Sequence, residues 1–428
     1  MLIDLVIVGA GPAGLMAGIQ AKEQQPNLEV VVCEAKGQVG GKLSVTGGGR
    51  CNVTHEAEPI ELISHYQPNG KFLHSIFYRF APEQLVNWFQ EHGVPLVREA
   101  DGRYYPQTYQ AHSVITVLKN TCQKLGVRFW LNCPVEIIER AKQNYLLQTA
   151  SEKHQCRAVI LACGNHSFAS VTKGLRPYKV AQNLGLSFSE QFGALCALES
   201  NCRSSKGKQF VYGELAGLAL HDAQVSLNTD KKVFASQRGE VLFTHRGLSG
   251  PAVLSLAKDI ATAQQKSLVA EIYLDCQPQI STEQLLATFK ELCQQQGQKN
   301  FQALRFKLPT EIPQRFYTYL LKYLLIDANQ KLATAHKKQL ALLASALKRL
   351  ALCDLQLVAS SKAMQLVGGV EVKQLQAKTL MCKELPGIFV VGDLLELAGD
   401  CGGYNLQLAF STGYVAGQEA SKYLTKKA

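Results

Sequence analysis

Residues 43–54 read LSVTGGGRCNVT, with Gly47, Gly48 and Gly49 running straight into Arg50, Cys51 and Asn52. Consecutive glycines let backbone N–H groups approach an anion, and a guanidinium adds a charged fork. No Gly-Lys-Ser/Thr follows at the Walker offset, so this is not a P-loop. A second cluster, GAGPAG at 9–14, fits G-x-G-x-x-G. Gly9 permits the tight turn, Gly11 lets a pyrophosphate approach, and Gly14 allows close helix–strand packing. Pro12 and Ala13 open a helix whose positive end faces the anion. Glu34, twenty positions beyond Gly14, is placed to accept from both ribose hydroxyls, with Ala35 and Lys36 next to it at the nucleotide. These residues together predict a dinucleotide site. Cys51 has the chemistry of a redox thiol, but a disulfide relay needs a partner and none is near in sequence, which favours a buried, unreactive thiol.

The elements around these residues form a βαβ unit. Residues 2–8 (LIDLVIV) are a buried strand, 12–25 have helical composition, and 28–34 (LEVVVCE) are a second strand. Amphipathic helices are expected at 81–93 and 113–126, and strands at 127–135 and 158–164. From about 193 the texture changes to β-type runs separated by turns, which suggests an antiparallel sheet or small barrel. Residues 281–352 are helical, strand character returns at 354–372, and a buried strand at 387–393 precedes a closing helix within 402–420. The economical reading is an α/β domain split in sequence around a β-plus-α insert.

Composition bounds the rest. The 428 residues are 46% hydrophobic and 18% charged, as in an ordinary globular protein. Lys and Arg exceed Asp and Glu by 45 to 34, densest at HKKQ (336–339), ALKRL (346–350) and the TKKA tail. A solvated surface is favoured over a nucleic-acid track, since no RNA- or DNA-binding motif accompanies the charge. The thirteen cysteines lack zinc spacing or a Cys-x-x-Cys pair, which fits reduced thiols in a cytoplasmic protein and no metal site. No secretory signal is read at the N-terminus, and no apolar run suggests a membrane span.

Three further stretches sharpen the cofactor. GQVGGKLS (37–44) supplies Gly41 and Lys42; VILACG (159–164) ends in Ala162, Cys163 and Gly164; GIFVVGD (387–393) ends in Gly392 and Asp393. They resemble the marks of the glutathione-reductase-like FAD fold: an early fingerprint, a strand ending in Ala-Thr-Gly, and a late Gly-Asp. That resemblance implies FAD, with Asp393 near its ribityl and pyrophosphate part and Val135 beside the nucleotide. More specifically, GGKLSVTGGGRCNVT, NGKFLHSIFYRF, DGRYYP, GEVLFTHRGLSGPAVL and GDLLELAGDCGGYNLQLAFSTGYVAG resemble one bacterial family, the aminoacetone-oxidase-like (YhiN-type) FAD flavoproteins, also described as NAD(P)/FAD-dependent oxidoreductases. The resemblance implies an α/β glutathione-reductase-like Rossmann domain over 1–192 and 366–428. It implies an insert over 193–365, with a β-barrel (about 193–276 and 353–365) and a helical subdomain (about 277–352). An active site between flavin and insert is also implied. Asn165 departs from the family by taking the place of a glycine, and the 166–181 loop departs with it.

In this setting Gly48, Gly49, Arg50, Cys51 and Asn52 are expected at the flavin, as are Gly403, Tyr404 and Asn405 at the start of the closing helix. Arg50 in a surface salt bridge is the competing reading. In THRGLSGP (244–251) the order of residues is not a hydrolase elbow, and a helix start at Ser249 or Gly250 with Pro251 in the first turn is preferred. His245 is a candidate general acid/base, with a satisfied structural histidine as the slightly favoured alternative. Tyr104 and Tyr105 are candidates to face the substrate, or to pack. Three functions stay open. One is an oxidase of a small amine. The second is a reductase of an unsaturated apolar substrate, with NAD(P)H as a transient reductant because no second G-x-G-x-x-G exists. The third is an RNA-associated flavoprotein suggested by the +11 charge. A small-molecule substrate is expected; oligomeric state is not legible.

Overall fold

The computed structural model describes residues 2–167, 178–200, 210–230, 232–359 and 362–426. The chain forms two compact units, Met1–Phe192 with Met364–Ala428, and Gly193–Ala363.

The first unit is built on a sheet whose parallel part runs Arg128–Trp130, Val30–Cys33, Leu2–Val8, Lys153–Leu161, Ile388–Val390. Its central strands are nearly continuous Val, Ile and Leu, as strands covered on both faces must be. The opening helix, Pro12–Gln24, has Pro at its start and is buried on most sides. The closing helix, Tyr404–Lys426, crosses it so closely that a Cβ on Gly413 would lie 2.2 Å from the Ala13 carbonyl oxygen. Only glycine permits that approach.

The expected strand at 127–135 stops at Trp130. Asn132 takes a left-handed conformation (φ +52°), and the chain turns into an antiparallel hairpin, Val135–Ala141 with Asn144–Thr149, that extends the sheet beside residues 153–156. Residues 168–177, most of the unusual 166–181 loop, lie outside the described residues. A small antiparallel sheet of Thr54–His55, Arg103–Pro106 and Leu96–Arg98 carries the tyrosine pair.

The second unit holds an antiparallel sheet in the order Leu350–Leu352, Ala270–Asp275, Ala219–Thr229, Lys232–Phe243, Gly247–Ser249, Leu198–Ser200, Leu355–Leu357. Its two edge strands are consecutive in sequence, joined through Cys353 and Asp354, so the sheet curls back on itself. Gly250 (φ +94°) and Pro251 start the helix Pro251–Gln265, as the THRGLSGP stretch predicted. The helical stretch contains three helices, Thr282–Gln295, Gln314–Tyr323 and Lys337–Lys348, around a core that includes Phe289, Phe301, Phe316 and Leu343. Ser281 caps the first of them through a reciprocal bond with Gln284. Among the described residues no helix is long and apolar enough to cross a membrane.

Candidate functional site

The parallel strands of the first unit end together. Val8 is in register with Cys33 and Leu161, and Leu161 with Val390. Gly9, Glu34, Ala162 and Gly392 therefore leave the sheet at one edge, the carboxyl ends where open α/β sheets bind ligands. Backbone sterics fix the glycines there. A Cβ on Gly9 (φ +108°) would meet the Ala162 carbonyl oxygen at 2.5 Å, and one on Gly14 would meet the Gly9 carbonyl oxygen at 2.0 Å. At Gly11, the residue preceding the opening helix, nothing lies within 4 Å, which leaves the cradle open at the helix N-terminus.

Glu34 spans the turn: its Oε2 accepts from the Ala10 N–H at 2.9 Å and its Oε1 from the Lys36 N–H at 3.0 Å. A cavity of about 570 Å³ opens beside it, lined among others by Gly9, Glu34, Ala35, Val135 and Cys163. The structure thus gathers five of the residues expected at a nucleotide, four of them from separate strand ends. Asn132 makes this possible, because its turn carries Cys133 to Val135 back over the edge. Burial pushes the Cys163 thiol up to about 12, so it is a wall and not a nucleophile.

A second cluster surrounds Lys42. Its ammonium donates to the Asn165 carbonyl, to Asn165 Oδ1 and to Ser167 Oγ, each at 2.9 Å, and lies 3.9 Å from Asp393 Oδ2. Asp393 is held in turn by Gln365 Nε2 at 3.0 Å. Burial draws the Lys42 pKa down, with Asp393 opposing. Asn165, the departure from the family pattern, therefore has a definite role as a Lys42 acceptor. Gly164 (φ +69°) brings the strand end within 3.8 Å of the Lys42 ammonium, measured from a Cβ built on it. Gly41 anchors the approach by accepting from Ser44 Oγ at 2.8 Å. Gly392 (φ +64°) is tied to Thr412 Oγ1 at 3.0 Å.

The glycine loop adopts three successive left-handed residues, Gly47, Gly48 and Gly49 at φ +55°, +67° and +89°. Cys51 then takes φ +62° despite its side chain, is fully buried, and has its thiol pushed up to about 12 by that burial. Arg50 lies 3.4 Å from Glu99 Oε1 and 3.4 Å from the Tyr105 hydroxyl, with its guanidinium 4.6 Å over the Tyr105 ring. Two of the three candidate catalytic residues are therefore in contact. The third, His245, belongs to the second unit, where it is exposed beside the Gly247–Ser249 strand.

Sequence reasoning missed one constellation. Tyr404 is stacked between His55 and His65, with ring centroids at 5.1 and 4.2 Å. Its hydroxyl is 3.3 Å from His65 Nε2, and His65 Nδ1 is 3.0 Å from Asp400 Oδ2. Burial, then Asp400, pushes the phenol up to about 12. A Cβ on Gly403 would lie 2.6 Å from the Thr54 backbone and 2.8 Å from Asn52 Oδ1, so this turn abuts the glycine loop. The Asn405 amide is bonded to Gly399 and Asp400 and holds the turn closed. His65 stands in no motif, and only the fold joins residues 339 apart.

Three buried polar atoms on these loops lack a partner: Asn52 Oδ1, Asn165 Nδ2 and His166 Nδ1. Buried polar groups are ordinarily satisfied. Orphans of both donor and acceptor type, flanking an open glycine cradle, fit a bound dinucleotide with a polar ring system. Among the described residues no cluster could hold a metal ion, and the described cysteines are free thiols.

Residues 3–419 match the model of the HI0933-like protein Rossmann domain family. The 3-dehydro-bile acid delta(4,6)-reductase of Clostridium scindens is 26% identical over 419 residues, covering 97% of this chain and 98% of that relative. The ribosomal RNA dihydrouridine synthase of Escherichia coli is 26% identical over 423 residues, covering 97% of both. Among solved structures, the 3-ketosteroid delta1-dehydrogenase of Sterolibacterium denitrificans shares the fold at a TM-score of 0.50 and 11% identity, over 98% of this chain and 99% of that one.

Proposed function

Given that the chain belongs to the HI0933-like family of FAD-dependent Rossmann-domain oxidoreductases, we propose that it reduces a carbon–carbon double bond conjugated to a carbonyl. Both relatives support this chemistry by name. A delta-4 bond in a 3-dehydro compound and the 5,6 bond of uridine are each an electron-poor alkene beside a carbonyl. The observation that carries the reading here is Tyr404. Its phenol is kept protonated by burial, with an imidazole and a carboxylate aligned behind it. That arrangement supplies an acid, which alkene reduction requires; amine oxidation would call for a base.

FAD, when bound, supplies hydride transfer. The glycines at 9–14 and Glu34 would hold its pyrophosphate and adenosine ribose, and Lys42 with Asp393 would face the part between ribose and ring. Tyr404 gives a proton to the substrate carbon next to the carbonyl, and His65, oriented by Asp400, returns one from solvent. Arg50, stacked on Tyr105, offers its cation to the carbonyl as negative charge grows there. NAD(P)H is the proposed transient reductant.

The test is anaerobic stopped-flow. NADPH or NADH should bleach the flavin, and 2-cyclohexenone should restore its colour. Tyr404→Phe should leave bleaching intact and slow recovery by about 10²-fold, the usual worth of a positioned acid. Bleaching by amines, with no recovery on adding the enone, would overturn the reading in favour of an amine oxidase.

A further inference from the structure

The fold of the first unit brings together two cysteines that are distant in sequence. Cys33 ends the strand Val30–Cys33, in register with Trp130 on the neighbouring strand. The left-handed turn at Asn132 carries Cys133 back over the sheet edge, where its N–H donates to the Glu34 carbonyl at 2.9 Å. The two thiols meet there. Cys33 donates a hydrogen bond to the Cys133 sulfur, and the Thr149 hydroxyl bonds the same sulfur. Both residues line the cavity of about 570 Å³ beside Glu34. Both are free thiols; Cys33 is 1% exposed and Cys133 is half-buried.

Packing accounts for a single buried cysteine, which behaves as a small hydrophobe. It does not account for a second thiol placed against the first at the wall of a cavity that admits solutes. A disulfide needs its sulfurs at about 2.05 Å, and thiols already in hydrogen-bond contact have a short distance to close. Their mutual contact also gives the second thiol a very high effective concentration. The roles of the two differ. Burial raises both thiols, Cys33 well above the ordinary range, but on Cys133 the bonds from Cys33 and Thr149 oppose the rise. Cys133 is therefore the thiol that ionises toward the cavity, and Cys33 the one that resolves.

We propose that Cys33 and Cys133 form a redox modification site, which hydroperoxides close to a disulfide and which a dinucleotide in the cavity protects. In the first step the Cys133 thiolate attacks the peroxide; an S–O bond forms, the O–O bond breaks, and a sulfenic acid and water result. In the second the Cys33 sulfur attacks the sulfenic sulfur; the S–S bond forms, the S–O bond breaks, and the Cys33 proton leaves with hydroxide as a second water. Two thiols thus lose two electrons to one peroxide, and an added dithiol reverses the change. The protection rests on the reading of this cavity as the adenosine side of the cofactor site. Cys133 holds the Glu34 carbonyl, and Val135, two residues on, lines the same wall, so drawing Cys133 onto Cys33 reshapes the surface that adenosine would meet. By linkage, a ligand that favours the dithiol form resists its oxidation by the same factor that oxidation weakens the ligand.

The experiment treats FAD-stripped and FAD-loaded protein with hydrogen peroxide, blocks remaining thiols with N-ethylmaleimide, and maps unreduced peptides by mass spectrometry. A Cys33–Cys133 crosslink should form in the folded, stripped protein, disappear with dithiothreitol, and form at a rate still climbing at about pH 9, the ordinary thiol value. FAD should slow it about tenfold or more, ADP should slow it too, and the crosslinked protein should bind FAD about tenfold more weakly in fluorescence titration, within the usual range of coupling. Exposed Cys353 should oxidise at one rate with or without FAD. Cys33→Ser should leave Cys133 as a sulfenic acid that dimedone traps, and Cys133→Ser should abolish the crosslink. The proposal falls if the crosslink appears only after unfolding in urea, or if Cys353 is oxidised while Cys33 and Cys133 stay reduced. A crosslink that forms equally fast with FAD, with ADP and with neither would uphold the dithiol chemistry and sink the placement of adenosine in this cavity. FAD binding that Glu34→Gln weakens, with no crosslink in the parent, would do the reverse.

Discussion

Glu34→Gln is a sharper perturbation than its size suggests. Each carboxylate oxygen accepts one backbone N–H, from Ala10 at 2.9 Å and from Lys36 at 3.0 Å. A carboxamide retains one oxygen and turns an NH2 toward the other N–H, so one bond loses its charge and the other becomes a donor–donor contact. An N–H left without an acceptor costs about 1–3 kcal/mol, and the loss of charge assistance about another 1 kcal/mol. The total is about 2–4 kcal/mol, shared between the free protein and its complex. If half of it falls on binding, the Kd for FAD rises about five- to thirtyfold. FMN has no adenosine ribose for Glu34 to hold, so it should lose little. Fluorescence titration of the cofactor-free protein with both flavins gives the ratio, and thermal melting gives the remainder. The reasoning is refuted if FAD binds within about twofold of the parent, or if FMN weakens as much as FAD.

Gly413→Ala should destabilise by about 3 kcal/mol or more in urea unfolding, because its Cβ would sit 2.2 Å from backbone and the crossed helices must part. Gly185→Ala, left-handed at φ +81° but with open space around it, should cost only about 1–2 kcal/mol. In the native protein a thiol reagent should label exposed Cys353 first, whereas Cys51, buried and raised to about 12, should react only on unfolding; peptide mapping distinguishes them, and equal rates would contradict the burial. Tyr404 is raised from 10.0 to about 12, so the folded state holds a proton that the unfolded state releases, and stability falls as pH rises between those values. Tyr404→Phe should therefore flatten the decline of melting temperature with alkaline pH; an unchanged decline would deny the phenol its burial.

Legibility followed the range of the constraint. Gly9, Gly14 and Glu34 were readable because each answers a local backbone demand that one residue type meets. Val135, expected beside the nucleotide, does line the cavity next to Glu34, but it begins the strand Val135–Ala141 rather than ending the expected strand at 127–135. Asn132 and Lys142 adopt left-handed turns without a glycine signal, so the strand expected at 127–135 conceals a turn, and the 135–149 hairpin goes unread. The Lys42–Asn165 and Tyr404–His65 contacts span 123 and 339 residues, where no periodicity reaches.

The same limit applied to charge. Read along the sequence, HKKQ and ALKRL are two modest basic runs in a chain of scattered lysines. In the fold they are the two ends of one helix, Lys337–Lys348, and a second acid-free segment is bonded alongside. Gly9, Glu34 and Tyr404 lie in the first unit, and eight of the eleven net charges lie in the second. Reducing an electron-poor alkene needs a hydride and a proton, and neither requirement by itself accounts for a net +7 on the 76 residues 277–352.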